Sequence, residues 1–218
     1  MSLPTRRRAM AWLGACAVAA PLAPQALAMP TRDMVFRVHR SGSPIGWLNT
    51  TFVRAGDQVT VRTKLDLSVY AAFIRVFRYL HTSEEVWRGA KLLSLSADTN
   101  NDGKVYRVRT TPAPGGLQIE GPVATVTAPA DSLTTNCSWN PAFVRQRMLI
   151  DCERGRYVPM TVQPLGDKTL KVMEASRTAT GFRTTLPHAE GEIWYAANEW
   201  VHGLFRTKGE TLVYERES

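Results

Sequence analysis

Apolar and polar residues alternate along most of the chain, and turn residues interrupt the alternation every eight to fourteen positions. Gln58–Leu67 is the clearest example, because β-branched or apolar side chains alternate there with charged ones. Such period-two alternation is typical of a strand with one buried face. The turns between the segments predict an antiparallel β-meander.

The number of alternating segments indicates the shape of the sheet. A flat open sheet of about 11–12 strands tends to curl or split. We therefore predict a mainly β fold, in which an antiparallel meander curls into a half-barrel or barrel with one short helix. Two of the predicted strands, Tyr157–Gln163 and Thr169–Ser176, follow the helix.

Two segments depart from this alternation. Pro141 stands at a suitable first helical position behind Ser138 or Asn140 as cap, which predicts a short helix up to Leu149. Tyr70–Phe77 is unusually apolar for a connection between strands. We expect it to form a flap or a short helix over a pocket.

The first 28 residues form a bacterial export signal. Arg6–Arg8 supply a positive start, an uncharged stretch rich in Ala and Leu follows, and Ala26–Ala28 match a signal-peptidase site. The arginines leave both the Sec and the twin-arginine route open. The predicted location is therefore periplasmic or secreted. A lipid anchor on Cys16, which follows a short lipobox-like stretch, is the alternative.

Removal of this leader leaves residues 29–218 as a single β-rich domain and lowers the formal net charge from +8 to +5. The remaining cations are spread over strand-like segments, without a basic run interleaved with aromatics. This distribution argues against a nucleic-acid partner. A weak attraction to anionic lipid or polysaccharide fits the charge better.

Two cysteines, Cys137 and Cys152, remain after cleavage. A pair of thiols in an oxidising compartment usually bridges, so we predict a structural disulfide between them. The chain-entropy relation assigns such a loop roughly 3 kcal/mol. The spacing is far wider than that of a C-x-x-C redox pair.

The search for catalytic and metal-binding motifs gives one partial match. Asp98, Asn100 and Asp102 occupy the first three ligand positions of a calcium loop, but Arg109 stands where the closing acid belongs. We expect a hairpin turn there and keep a metal site as the alternative. No nucleophile elbow, phosphate loop or zinc-protease motif occurs in the sequence, and we expect no cofactor.

The aromatic residues are the best lead to a binding site. Most of them fall in predicted strands, where core packing is their ordinary role. Some could instead line a concave apolar pocket. The candidate ligand-binding residues are Trp47, Tyr70, Phe73, Phe77, Tyr79, Trp87, Trp139 and Trp194.

Several short motifs are similar to those of a family of bacterial exported proteins that is catalogued only as a domain of unknown function. They are Ile45-Gly46, Tyr79–Trp87, Gly89-x-Lys91-Leu92, Thr99–Gly103, Ser138–Asn140 and the stretch from Ile193 to Tyr214. The resemblance implies export and a β-rich fold, and it carries no activity. The cysteines are not part of the family pattern. The strand layout also resembles periplasmic half-barrels that escort lipoproteins or lipids.

Three functional hypotheses follow. The first is a periplasmic carrier that holds a lipid or other amphiphile in the concave sheet. The second is an envelope assembly or interaction protein that binds a protein partner without a small ligand. The third, a hydrolase with a dispersed site, has the least support, so the sequence leans away from an enzyme.

Overall fold

The computed structural model describes residues 29–207 and 209–218. The predicted signal peptide, with Arg6–Arg8 and Cys16, lies outside these residues. Within the described part, no helix is long and apolar enough to cross a membrane.

The described chain is built almost entirely from strands. The first eight are β1 (Met34–Arg40), β2 (Ser43–Ala55), β3 (Gln58–Ala71), β4 (Ile74–Arg88), β5 (Lys91–Asn101), β6 (Lys104–Ala113), β7 (Gly116–Glu120) and β8 (Thr125–Ala128). The remaining seven are β9 (Met148–Ile150), β10 (Tyr157–Pro159), β11 (Thr161–Val172), β12 (Ala175–Leu186), β13 (Ala189–Ala196), β14 (Glu199–Thr207) and β15 (Glu210–Arg216).

Thirteen of these strands form one antiparallel sheet in the order β11-β12-β13-β14-β15-β1-β2-β3-β4-β5-β6-β7-β8. Neighbours in the sheet are neighbours in sequence, except that the last strand, β15, pairs with the first, β1. The short strands β9 and β10 pair separately. The predicted mainly β meander is confirmed. The sheet is not closed, since β8 and β11 are its edges.

The described residues form more strands than the 11–12 predicted, and two predicted strands have the wrong bounds. Thr169–Ser176 was expected to be a strand, but it contains the turn between β11 and β12. Met173 adopts a φ of 54° in that turn, and no Gly, Pro, Asn or Asp is present to mark it. The segment Tyr157–Gln163 is likewise divided between β10 and β11.

The predicted helix is shorter than expected. It consists of two 3₁₀ turns, Cys137–Trp139 and Pro141–Arg145, and Met148 already begins β9. The predicted cap is present, because the Asn140 side chain accepts a hydrogen bond of 2.9 Å from the Ala142 N–H. Both 3₁₀ turns are too short to be stable on their own, so they depend on packing against the sheet.

The prediction that Tyr70–Phe77 forms a flap or a short helix is wrong. These residues continue β3 and β4 through the turn between them, and Val69 pairs with Phe77. The segment is therefore part of a long hairpin and covers no pocket.

Candidate functional site

The space inside the curved sheet is occupied by the chain itself. Residues 129–160, here called the inner segment, connect β8 to β11. The Leu92 N–H of β5 donates a 2.8 Å hydrogen bond to the Ala130 carbonyl of this segment. In the other half of the same sheet, the Tyr195 hydroxyl of β13 donates a 2.8 Å hydrogen bond to the Ser138 carbonyl. The inner segment thus spans the concave face from one half of the sheet to the other.

A carboxyl group lies buried beneath the inner segment. Glu85 of β4 is only 1% exposed. Its Oε1 accepts a 2.6 Å hydrogen bond from the Thr134 hydroxyl, and its Oε2 accepts one of 3.0 Å from the indole N–H of Trp87. Cys137 and Cys152 complete the surroundings, with sulfurs 3.6 Å from Oε2 and 3.9 Å from Oε1. The carboxyl group therefore joins β4 to two parts of the inner segment.

Burial controls the protonation of this group. Removal from water raises the pKa of Glu85, although its hydrogen bonds to Thr134, Trp87 and the two cysteines oppose the rise. Burial also raises the pKa of both thiols, and the nearby Glu85 adds to the effect. Neither cysteine is more than 1% exposed. These thiols are consequently protonated and poor nucleophiles.

The predicted disulfide between Cys137 and Cys152 is not formed in the structure, where both are free, buried thiols. Each sulfur is instead directed at the carboxyl group of Glu85. A bridge would remove both S–H donors from that carboxyl group.

A second polar group lies beside the first and includes His81. Its Nδ1 is 2.7 Å from the Thr99 hydroxyl, and its Nε2 is 3.0 Å from the side-chain nitrogen of Asn136. The Asn136 amide also donates to the hydroxyl of Ser83 at 2.8 Å. Because the Asn136 nitrogen can only donate, we assign the proton of neutral His81 to Nδ1. Burial lowers the pKa of His81 to about 4.

Apart from the partly exposed Asn136, the side chains of both polar groups are buried, and their hydrogen bonds fasten the inner segment to the sheet. A substrate has no direct access to Glu85, His81 or Thr134, all of which are buried. Among the described residues, no group of three or more His, Cys, Asp or Glu side chains is arranged to hold a metal ion.

The oxygens of the calcium-like motif are taken by protein donors. Arg109 donates to both oxygens of Asp98, at 3.0 and 2.9 Å. The Asn100 side chain accepts from the Gly103 N–H at 2.8 Å. Asp102 and Gly103 have φ angles of 52° and 89°, as in a type I′ turn. The motif is therefore a hairpin turn, as the sequence indicated.

The predicted ligand-binding aromatics do not gather in one place. Trp87 and Trp139 are fully buried and pack edge to face with ring centroids 6.5 Å apart. Trp194 belongs to a separate small apolar cluster, with the Lys168 ammonium 3.8 Å from its ring centroid. The others are Trp47, which is partly exposed beneath Arg37; Tyr79, whose hydroxyl donates to Glu153; and Tyr70, Phe73 and Phe77 of the long hairpin.

Two surface cavities in the described part of the chain are the best defined, and neither is lined by a predicted ligand-binding aromatic. The first, of about 460 Å³, is lined by polar and charged side chains of β2–β5, such as Asn49, Lys64 and Glu84. The second, of about 370 Å³, lies between Val144–Arg147 and the start of β11. The residues that line the first cavity are all polar or charged, which does not suit an acyl chain, whereas the second combines Val144, Met160 and Val162 with polar residues.

The long hairpin of β3 and β4 extends beyond its neighbours in the sheet. Strand β2 pairs with β3 only up to Leu67, and β5 pairs with β4 only from Tyr79 onward. Within the described part of the chain, residues 68–78 therefore form a two-stranded ribbon without a lateral partner strand, here called the β3–β4 ribbon. At about 3.3 Å per residue, four residues on each side project about 13 Å.

The ribbon exposes large apolar side chains. Phe73 at its turn is 100% exposed, and Ile74, Tyr70 and Val76 are 72%, 58% and 53% exposed. Ile74, Arg75 and Val76 are consecutive and all exposed, so solvent reaches both faces of the ribbon. Exposed apolar patches are a common feature of interaction surfaces.

The base of the ribbon is held firmly. The guanidinium of Arg78 donates to Asp66 and Ser68, each at 3.0 Å. The Arg78 carbonyl accepts a 2.8 Å hydrogen bond from the Asp102 N–H in the β5–β6 turn. The apolar tip is thus presented on a braced support.

Sequence reasoning missed two features of this arrangement. The first is the burial of Glu85, which shares the period-two register of Ser83 and Trp87 and faces inward with them. The inner segment was not recognised as a filling for the sheet. The apolar run Tyr70–Phe77 did signal the ribbon, but it was assigned the wrong structure.

The fold and the filled interior define a β-barrel-like protein without an established activity. A family model described as "Domain of unknown function (DUF6134)" matches residues 36–217, and the chain belongs to this family. Among solved structures, the chain is similar to the "Beta-barrel-like Protein of Domain of Unknown Function DUF1849 from Brucella abortus". That match has a TM-score of 0.56 and 9% identity and covers 85% of this chain and 95% of the other, which supports the fold alone. A comparison with curated proteins finds no match.

Proposed function

We propose that this protein is an exported interaction protein of the bacterial cell envelope and that it acts through the β3–β4 ribbon. The predicted leader, with Arg6–Arg8 and a cleavage site at Ala28, supports export to the periplasm or the medium. The ribbon is the single observation that carries the interaction role. Phe73 is completely exposed at the braced tip, among other exposed apolar side chains, and such a patch supports an interaction role.

The carrier hypothesis has less support from the geometry. A carrier needs an apolar space behind the sheet, whereas the inner segment packs Trp139 and Phe143 there, both at most 3% exposed. An amphiphile could enter only if this segment left the sheet. Departure would break the contacts of Thr134 with Glu85 and of Asn136 with His81. Lipid carriage stays a prediction that native mass spectrometry can check.

The hydrolase hypothesis requires a catalytic side chain that a substrate can reach, and the two candidates, Glu85 and His81, are buried. Glu85 and His81 have perturbed pKa values, which is a feature of many active sites. Here the shifts result from burial, and the side chains are 1% and 4% exposed. A nucleophilic role for Cys137 is opposed by the raised pKa of its thiol.

Site-specific photocrosslinking in cells tests the proposal. A photoreactive phenylalanine analogue replaces Phe73 in the full-length chain with its leader, and the cells are irradiated. We expect covalent adducts with one recurrent partner, lipid or protein, in the envelope fraction. The same analogue at Val53, an exposed position at the opposite end of β2, is the matched control.

The control should yield little adduct, because Val53 is remote from the ribbon. Adducts at both positions in equal amount would show random contact and contradict the proposal. So would an envelope-located protein that gives no adduct from position 73.

We further infer that export allows Cys137 and Cys152 to bridge. The supporting observation is that both sulfurs contact the same carboxyl group, that of Glu85. Two-electron oxidation by a periplasmic disulfide donor would join the sulfurs and transfer two protons and two electrons to that donor. The bridge would link the two ends of the loop that contains Trp139.

A further inference from the structure

We propose that the partner of the β3–β4 ribbon is an anionic phospholipid surface, into which the tip inserts. This inference rests on the proposed function, since it names the partner of the same ribbon. The shape, the charge and the dimensions of residues 68–78 support it.

The shape of the ribbon suits a fluid medium. Apolar side chains are exposed on both of its faces and at its turn, where Phe73 and Ile74 are the most exposed apolar residues. A flat protein surface would cover one face and leave the other in water. Lipid surrounds an inserted tip and removes all of these side chains from water together.

The size of the ribbon also favours a lipid surface over a protein partner. A stable protein–protein contact usually buries about 800 Å² on each partner. A rigid partner that contacts one face of the tip would bury only part of the exposed apolar side chains. A few large apolar side chains are sufficient for interfacial insertion, because each one contributes its own transfer free energy.

The charge of the ribbon complements an anionic surface. Residues 68–78 contain no acidic residue; of their two arginines, Arg78 is paired with Asp66 at the base, and Arg75 lies near the tip. Arg75 is exposed between Ile74 and Val76. Its guanidinium can donate several hydrogen bonds to a lipid phosphate while its neighbours enter the acyl region. In the adjacent β5–β6 turn, Lys104 adds a cation, and the Asp102 carboxylate is directed at the Arg78 backbone.

The dimensions fit the headgroup region. Interfacial anchors bury their apolar groups by about 5–10 Å, and the ribbon projects about 13 Å. Phe73 would therefore reach the acyl boundary while Arg78 stays at the level of the sheet. Tyr70, an aromatic residue with a polar tip, suits the interface between them.

Vesicle sedimentation with the mature chain, residues 29–218, tests the inference. The wild type should bind vesicles of phosphatidylglycerol and phosphatidylethanolamine and bind much less to vesicles of phosphatidylcholine alone. F73S and I74S should each lower the partition coefficient about tenfold. R75Q should lower it about fivefold on the anionic vesicles only. Added salt should remove the contribution of Arg75 and leave that of Phe73.

V53S is the matched control, because it removes an exposed apolar side chain at the other end of β2 and should leave binding unchanged. The exposed positions 73–75 are expected to tolerate substitution, and unchanged circular dichroism and melting temperature would show it. Equal binding by the wild type and a F73S/I74S double variant would overturn the inference.

The vesicle result and the crosslinking result separate the two proposals. If the wild type does not bind vesicles but crosslinks from position 73 to one protein, the membrane inference is refuted. The proposed interaction role is then still supported. A crosslink to a second copy of the chain would do the same. Loss of both vesicle binding and crosslinking would refute both proposals.

Discussion

The hydroxyl of Thr134 lies 2.6 Å from Oε1 of Glu85 and donates a hydrogen bond to it. Thr134 belongs to the inner segment and is 0% exposed, whereas Glu85 belongs to β4. The contact therefore joins two elements that are 49 residues apart in sequence. A buried hydrogen bond to a carboxyl group fixes a register that apolar packing alone would leave loose. It explains how a long irregular segment keeps one position inside the sheet.

The first prediction concerns the protonation of Glu85. Because burial raises its pKa, the folded state binds more protons than the unfolded state once the pH exceeds the unfolded value of about 4.5. The contribution of Glu85 to stability is thus complete below that pH and is lost as the pH rises through the folded pKa. E85Q should abolish this loss. Urea unfolding of both proteins at several pH values measures the difference.

The matched control for this experiment is E84Q. Glu84 is the adjacent residue, but it is exposed and pairs with Arg62 at 2.8 Å. Its replacement should change stability by less than about 1 kcal/mol. If E85Q and the wild type show the same dependence on pH, burial does not control the Glu85 carboxyl group.

The second prediction concerns His81, whose effect has the opposite sign. Its pKa is lowered to about 4, so the unfolded state binds more protons between that pH and about 6.5. Stability from neutral His81 should be complete above about pH 6.5 and fall as the pH drops toward 4, by about 3 kcal/mol in all. Protonation would also place a second N–H against the Asn136 amide.

A chemical-shift titration of the imidazole protons checks this directly. The His81 signal should stay in the neutral form down to about pH 5. A His81 midpoint at pH 6.5 would show that the side chain is open to water.

The third prediction concerns the packing of the inner segment. Trp139 is 1% exposed and packs edge to face on Trp87 and on Phe52, with centroid distances of 6.5 and 5.3 Å. W139A should lower the free energy of unfolding by about 3–5 kcal/mol, since it leaves a large cavity. W47A is the control, because Trp47 is 39% exposed and should cost about 1 kcal/mol or less. Denaturant unfolding compares the two, and equal losses would contradict the assignment of Trp139 to the core.

The fourth prediction concerns the redox state of Cys137 and Cys152. Residues 29–218 produced in the cytoplasm should contain two thiols that alkylate only after unfolding, because both are buried. The same domain exported with its leader should contain none and should be more stable by about 2–5 kcal/mol. Mass spectrometry after alkylation in denaturant distinguishes the forms. Two alkylated cysteines in the exported protein would refute the bridge.

The local pattern predicted the local structure well. Alternation located most strands, because one buried face imposes a period of two wherever the strand lies. Asp102-Gly103 marked a turn, and Asn140-Pro141 marked a helix start, because turn and cap chemistry depend on adjacent residues. The turn at Met173 was not predicted, because its residues are not typical turn formers.

The sequence by itself determined most strands and turns and the meander, which are set by short-range sterics and hydrogen bonding. Only the tertiary structure decided that the concave face is filled and that Glu85 lies inside it. Burial of Glu85 depends on Thr134, which approaches from a segment distant in the chain. Likewise, the apolar run around Phe73 became a projecting ribbon because β2 ends its pairing at Leu67 and β5 at Tyr79. The sequence of one strand does not specify where the neighbouring strands end.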